Sequence, residues 1–458
     1  MKKLISFCWC LVAFCSCLSL CSCADNRAIG EYFLSFEYDN ENILGELEYR
    51  FLKRENQSVA TFYLYPNAYG EEGHGVEVSN VKTNGEATNY ELCENNCLLK
   101  ITLPSDVAKK DKVCVSMNFV TKVPYSFLRH GKTQKNVNLS YFYPLFVSDN
   151  KKAEELVYTN HGDPFLCEFS SFKVNFTLPS TYAVACGAEV KGIKNMGEKT
   201  QYYYELSPAL NFACSISENY HIVSKKWGNK RVNYYYYEEE APEKTLDKII
   251  DCMQFLQNKI GEYPYNTYTV AKSPYAQGGM EYSAFSVVGE SGSEEDYSHA
   301  IIHETCHQYF PISVQTDEYL SAYLDEGLAE FLTFCYKESK RTGEKSAHAQ
   351  YSFAIVNAFK RAQLKGNNGY NGIMKRKLSE FSFSNEYINV VYYKGYLLFY
   401  HAEKTGADVM GMLKRIYANK KFASVNEDDF IYYAKTDRKK IKEYLQKFVY
   451  LGGDIPLD

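Results

Sequence analysis

The stretch HETCHQYFPISVQTDEYLSAYLDE, residues 303–326, decides how the chain is read. His303 and His307 stand four apart, with Glu304 directly after the first. The run AIIHETCHQYF (300–310) contains no Gly or Pro and reads as a helix. Side chains at i and i+4 share a helix face, so both imidazoles can address one metal ion. Glu304 lies next along the turn, within reach of a water beside that ion. Catalytic zinc takes three protein ligands and keeps one position open. The histidines supply two, and Glu326, separated from His307 by eighteen residues, is the candidate third. The competing reading is a charged helix face whose histidines are satisfied locally. Against it, Glu326 falls in a second helix-like stretch, YLSAYLDEGLAEFLTFCY (319–336), where Gly327 lets backbones approach closely beside the metal. His299, one turn before His303, is expected to be a supporting or surface histidine, because only the 303/307 pair brackets a base. Cys306 projects differently from the ligands and is expected to pack into the core.

Two further motifs sit in order around this one. GGMEY (278–282) lies upstream, and Tyr392-Tyr393-Lys394-Gly395 lies downstream. Together, HETCH with its spaced Glu326, GGMEY and YYKG resemble the zinc signature, the GxMEN element and the YxKG element of the M1 family, the gluzincin aminopeptidases. The resemblance runs from about residue 30 to the end. It implies a multidomain fold: an N-terminal twisted β-saddle domain, then an α+β thermolysin-like zinc metallopeptidase domain. It implies one Zn2+ per chain, held by His303, His307 and Glu326. Such an ion supplies Lewis acidity, lowering the pKa of water and polarising a scissile carbonyl. Glu304 would be the general base, passing the water's proton to the leaving amine. Tyr392 would donate to the developing oxyanion, a contact worth about 3 kcal/mol. Tyr393 and Tyr396 are close enough to leave that register open. Lys394 would orient or pair with Glu326.

Glu281 matches the glutamate of the GxMEN element. There it would grip a free α-amine by a charge-assisted bond, so that the substrates are peptides with a free N-terminus and the first residue is released. Gly278 and Gly279 would keep side chains away from a substrate backbone lying along an edge strand. Tyr282 stands where most members have Asn, which bears on how strand and substrate are held. The family's second amine-binding Gln or Glu, on the amino-terminal domain, has no evident counterpart. The large C-terminal helical domain of many members is expected to be absent from this short form. Three alternatives remain. A zinc endopeptidase would use the same residues without reading an amine. A catalytically silent M1-like binding or scaffold protein would be free to lose any of them. A non-peptide substrate such as an epoxide has nothing pointing to it.

The 458 residues allow two or three domains, and a 45% hydrophobic, 16% aromatic composition can bury large cores. A net charge of -5 and the lack of a basic cluster argue against nucleic acid as a partner. Residues 1–23 read as a targeting segment: Lys2 and Lys3, then a nearly all apolar or small run over 4–22. Leu20-Cys21-Ser22-Cys23 resembles a bacterial lipobox, with cleavage before Cys23 and lipid on its thiol, which would anchor the protein to a membrane. Leu18-Ser19-Leu20-Cys21 is a second fit, and a plain secretory signal or a retained anchor helix stay open. All of these place the protein outside the cytoplasm, as a membrane-anchored lipoprotein or secreted. The nine cysteines beyond residue 23 are scattered, so no dense disulfide framework is expected. Cys93 and Cys97, in CENNC, could be a local disulfide or two buried thiols. Oligomeric state has no signature here.

Residues 28–240 read as β-rich. YFLSFEY (32–38), ATFYLYP (60–66), VCVSMNFV (113–120) and KVNFTLP (173–179) are short, aromatic and β-branched, several with period-two alternation. FYPLFVSDN (142–150), DPFLCEFSSFKVNFTLP (163–179) and ELSPALNFACSISENYHIV (205–223) resemble stretches of the M1 amino-terminal domain. RVNYYYYEEE (231–240) is expected to be a strand leaving that region. After Pro242 the period changes: EKTLDKIIDCMQFLQNKIG (243–261) carries a helical apolar stripe with Gly261 as a C-cap. This opens a catalytic domain over 241–458. YTVAKSPYAQGGMEYSAFSVV (268–288) reads as strand, turn, strand. Residues 341–366, 388–406, 407–422 and 426–450 read as helical, with a loop at 367–372.

Overall fold

The structure, a computed structural model, describes residues 29–70, 74–147, 158–159, 161–164, 167–290, 292–343, 346–364 and 371–456. The targeting segment, with Cys23, lies outside the described residues, as does most of the 367–372 loop.

Period-two sequence becomes period-two burial. In strand Gly30–Tyr38, the side chains of Tyr32, Leu34, Phe36 and Tyr38 are buried, while those between them reach solvent. An eight-stranded sheet is built around this strand. It pairs in parallel with Ser170–Pro179 and antiparallel with Asn42–Leu52, which is followed across the sheet by Lys112–Lys122 and Val76–Thr83. Tyr32 stacks on Phe172 at 4.6 Å and Phe36 lies 4.4 Å from Phe176, so cross-strand aromatic pairs fill the inner face. Two four-stranded sheets complete this β-rich region.

The second region opens with a five-stranded sheet: β1 (His221–Trp227), β2 (Lys230–Tyr236), β3 (Thr267–Ser273), β4 (Gly279–Tyr282) and β5 (Phe285–Gly289), in the order β1-β2-β3-β5-β4. Helix α1 (Pro242–Lys259) connects β2 to β3, which run parallel. This corrects the expectation for 231–240. That strand does not close the β-rich region; it pairs with Thr267–Ala271 in the sheet behind the site. Alternation identifies a strand but not its neighbour, and only the parallel crossover through α1 assigns it. The stretch carrying GGMEY supplies β4, the edge strand, which among the described residues pairs only with β5.

Helix α2 (Glu294–His307) starts at a reciprocal cap between Ser293 and Asp296. The expected single helix over 319–336 is broken. A turn of helix (Glu318–Ser321) and a 3-10 turn (Ala322–Leu324) precede α3 (Glu326–Ser339). The break at Asp325, φ -92 and ψ -80, makes Glu326 the first residue of α3. Beyond it come α4 (Ala347–Leu364), a π-helical segment (Ile388–Tyr393) running into α5 (Lys394–Lys404), and a helical end containing Val409–Lys420, Glu427–Tyr433 and Arg438–Tyr444. Ser283 ties the two regions together through Leu210 and Asn211: Ser283 N donates to Asn211 Oδ1 at 3.0 Å, and Leu210 N donates to Ser283 Oγ at 2.9 Å.

All nine described cysteines are free thiols, Cys93 and Cys97 included, and Cys306 is fully buried. No described helix is long and apolar enough to cross a membrane.

Candidate active site

The end of α2 and the start of α3 meet at three buried side chains. His303 Nε2 and His307 Nε2 are 2.9 Å apart, and Glu326 Oε2 lies 3.1 and 3.2 Å from them. The outer nitrogens decide what these contacts are. His307 Nδ1 bonds the Phe310 carbonyl at 3.2 Å and lies 2.9 Å from Asp325 Oδ1. His303 Nδ1 lies 3.1 Å from Glu330 Oε1. His307 thus spends its Nδ1 hydrogen outward on the Phe310 carbonyl, and the Glu330 carboxylate, in ion-pair contact with His303 Nδ1, favours the hydrogen of that ring on the outer side as well. Two Nε2 lone pairs and a carboxylate oxygen are left facing one another with no hydrogen between them. That arrangement is repulsive unless a cation occupies the centre. The separations approach the ~3.3 Å edge of a tetrahedron with ~2.0 Å bonds, so this donor set fits zinc. Two other His and carboxylate groupings, His299-His303-Glu330 and Glu281-His307-Asp325, each share a histidine with it and use that histidine's outer side. Burial alone would raise the Glu326 carboxyl, but the two imidazoles hold it well below the usual carboxylate range.

Glu304 points from the same turn toward the cleft. Its Oε2 is buried without a hydrogen-bond partner among the described residues. Burial raises its carboxyl above the ordinary value, against the pull of His307 and His303. Gly279 on β4 is what leaves it room. A Cβ there would come within 2.3 Å of Glu304 Oε1. Gly278, at φ +85, is required by the backbone turn rather than by crowding.

Of the three neighbouring tyrosines, Tyr392 is the one at the ligands. Its hydroxyl donates to Glu326 Oε1 at 2.5 Å, and its ring stacks on His303. Tyr393 lies edge-on to Tyr351, and the Tyr396 hydroxyl pairs with His348 Nδ1 at 2.9 Å. Gly327 at the start of α3 and Gly395 at the start of α5 bring Tyr392 there. A Cβ on Gly327 would lie 2.6 Å from the Gly395 Cα, so the two helices touch backbone to backbone. The expectation that Lys394 pairs with Glu326 is corrected. Lys394 Nζ turns away and donates to the carbonyls of Gly372 and Gly452, at 2.7 and 3.1 Å.

These groups line a cleft of about 1500 Å³. Glu281 is part of the lining. It is only 6% exposed, and no hydrogen bond among the described residues reaches its carboxylate. Burial raises its pKa well above the ordinary value, against the pull of His307. Tyr282, in the departing position, is buried and stacks on Phe285, with its carbonyl accepting from Gln308 Nε2 at 3.1 Å. The β-rich region supplies the facing wall, including an Arg129–Asp163 ion pair. His299 reaches Glu330 with Nε2 at 3.0 Å, which makes it a supporting histidine.

Sequence reasoning passed over Asp325, Glu330, Arg129 and Asp163. The first two had a signal in their spacing: one adjoins Glu326 and the other follows it by one helical turn. Arg129 and Asp163 had none, because they reach the cleft only through the docking of the two regions.

Residues 244–448 match the peptidase family M1 domain. No curated protein matches the chain. Among solved structures, an M1 zinc metallopeptidase from Deinococcus radiodurans is similar at 15% identity and a TM-score of 0.68, over 94% of this chain and 95% of that one. A Glu-to-Ala variant of the Deinococcus radiodurans M1 zinc metallopeptidase, bound to a Tyr-Ser-Ala substrate, is similar at 16% identity and a TM-score of 0.70, over the same shares.

Proposed function

This chain is an M1-family zinc metallopeptidase homologue, and from that premise we propose that it is an aminopeptidase, releasing the first residue of peptides with a free N-terminus. The observation that carries the reading is Glu281. A buried carboxylate with no hydrogen-bond partner is costly, and a substrate's α-ammonium would supply a charge-assisted one. Seated there, the first peptide bond lies over the ligand set. Glu304, unpartnered and raised in pKa by burial, is suited to accept a proton from water and return it to the leaving amine. Tyr392 is suited to turn from Glu326 to the oxyanion. β4, as a free edge, offers backbone groups to an extended substrate. The β-saddle and thermolysin-like descriptions of the two regions belong to this proposal, supported by the order of a β-rich region, an edge-strand sheet and two ligand-bearing helices.

The test is zinc-dependent cleavage of aminoacyl-amide fluorogenic substrates, with N-acetylated versions as control. Release is expected from the free-amine forms only. Glu304→Gln should lower kcat about 10²–10⁴-fold with zinc retained. Equal cleavage of acetylated substrates would overturn the exopeptidase reading in favour of an endopeptidase. Zinc binding without any cleavage would favour the silent scaffold.

Membrane anchorage is proposed on the sequence of residues 1–23 alone. Labelled palmitate should enter the full-length precursor expressed in a bacterium and be lost in Cys23→Ser. A soluble, unlabelled product would leave plain secretion.

A further inference from the structure

A row of polar contacts leads from the ligand His303 away from the metal position, between α2 and α3. His299 and His303 are one turn apart on α2, while Glu330 and Lys337 are two turns apart on the facing side of α3. Glu330 Oε1 lies 3.1 Å from His303 Nδ1 and 3.0 Å from His299 Nε2. His299 Nδ1 lies 2.8 Å from Lys337 Nζ.

The hydrogens in this row have one consistent arrangement. A lysine ammonium offers three donors and no acceptor, so His299 Nδ1 must accept. Lys337 sits as a cation would, its Nζ 5.0 Å from the centre of the Phe334 ring. The neutral His299 ring then carries its hydrogen on Nε2 and donates to Glu330. Glu330, accepting there, also stands in ion-pair contact with His303 Nδ1 at 3.1 Å, which favours the hydrogen of that ring on Nδ1. The Nε2 lone pair of His303 is thereby aimed at Glu326 and His307. Tyr351, on α4, also interacts with the Glu330 carboxylate.

We propose that His299 and Lys337 are positioning residues for the zinc, holding His303 through Glu330 in the tautomer and orientation that ligates. This rests on the metal reading of the site. Neither residue touches the ion or the substrate. Both act on how tightly His303 is presented, as groups bonded to a ligand's outer nitrogen do.

The test measures the zinc dissociation constant of the full chain by chelator competition, with the melting temperature of each metal-free protein as the check on folding. His299→Leu removes donor and acceptor together and should weaken zinc binding about 10-fold or more. His299→Gln offers an amide donor and a carbonyl acceptor in similar places and should stay within about 3-fold of wild type. Lys337→Met should fall between them. If His299→Leu does not fold, the Gln and Met variants decide alone: Lys337→Met must bind more weakly than His299→Gln. Wild-type affinity in both His299→Leu and Lys337→Met would overturn the proposal, as would His299→Gln binding as weakly as Lys337→Met. A wild-type chain that binds no zinc would instead overturn the metal reading itself.

Discussion

Tyr392 has two possible employments, and the 2.5 Å bond to Glu326 Oε1 keeps both in view. If its work is on the oxyanion, Tyr392→Phe should lower kcat about 10²-fold while zinc affinity stays within a few-fold. Loss of zinc affinity in step with kcat would show instead that it holds the ligand carboxylate. A second residue makes a different prediction. His130 is buried in the β-rich region, its Nε2 donating to the Lys122 carbonyl at 2.8 Å. Burial is the main cause that lowers its pKa from 6.5 to about 4. The unfolded chain takes up this proton near pH 6.5 and the folded one only near 4. Stability should therefore be lost as pH falls through that window, by on the order of 3 kcal/mol from this group. Urea unfolding at pH 7 and 4.5 checks it: His130→Gln should show a shallower loss than wild type, and equal slopes would rule His130 out.

At the scale of elements, the crossing of α3 and α5 places the chemistry. Gly327 and Gly395 meet backbone to backbone, and no flexible side chain there can yield. Gly327→Ala should destabilise the fold by about 1–3 kcal/mol and also cut kcat, because separating the helices withdraws Tyr392 from Glu326. Denaturant midpoints and turnover, measured together, would show this; an unchanged midpoint would mean the helices can part freely. The break before α3 matters equally. Had 319–336 been one helix, Glu326 would sit in its interior rather than at its first position. Sequence periodicity blurred that break, since the apolar spacing continues across it. What ends the first turn is backbone conformation at Asp325, whose side chain is occupied by His307.

For the whole molecule, the sheet behind the site does not respect the change of period at Pro242. β1 pairs with β2 and β2 with β3, so a fragment beginning at residue 241 lacks both strands and bares the β3 edge that Tyr234 and its neighbours cover. Such a fragment should aggregate, whereas one beginning near residue 218 should be more soluble, as read by the monomer fraction in size-exclusion chromatography. Equal behaviour would mean the hairpin is dispensable. The β-rich region also walls the cleft through Arg129 and Asp163, so neither fragment is expected to match the full chain in turnover.

The local patterns in the chain carried a great deal. Four-residue spacing on one helix put His303 and His307 on one face with Glu304 next along the turn, and period-two alternation marked the strands around Tyr32 and Phe36. Both signals survive without the fold because each repeats the geometry of a single element. The pairing of β2 with β3, the turning away of Lys394, the room that Gly279 leaves for Glu304, and the row from Lys337 to His303 were decided only by tertiary structure. Each depends on which element lies opposite, and a side chain's partner on another element has no period to betray it.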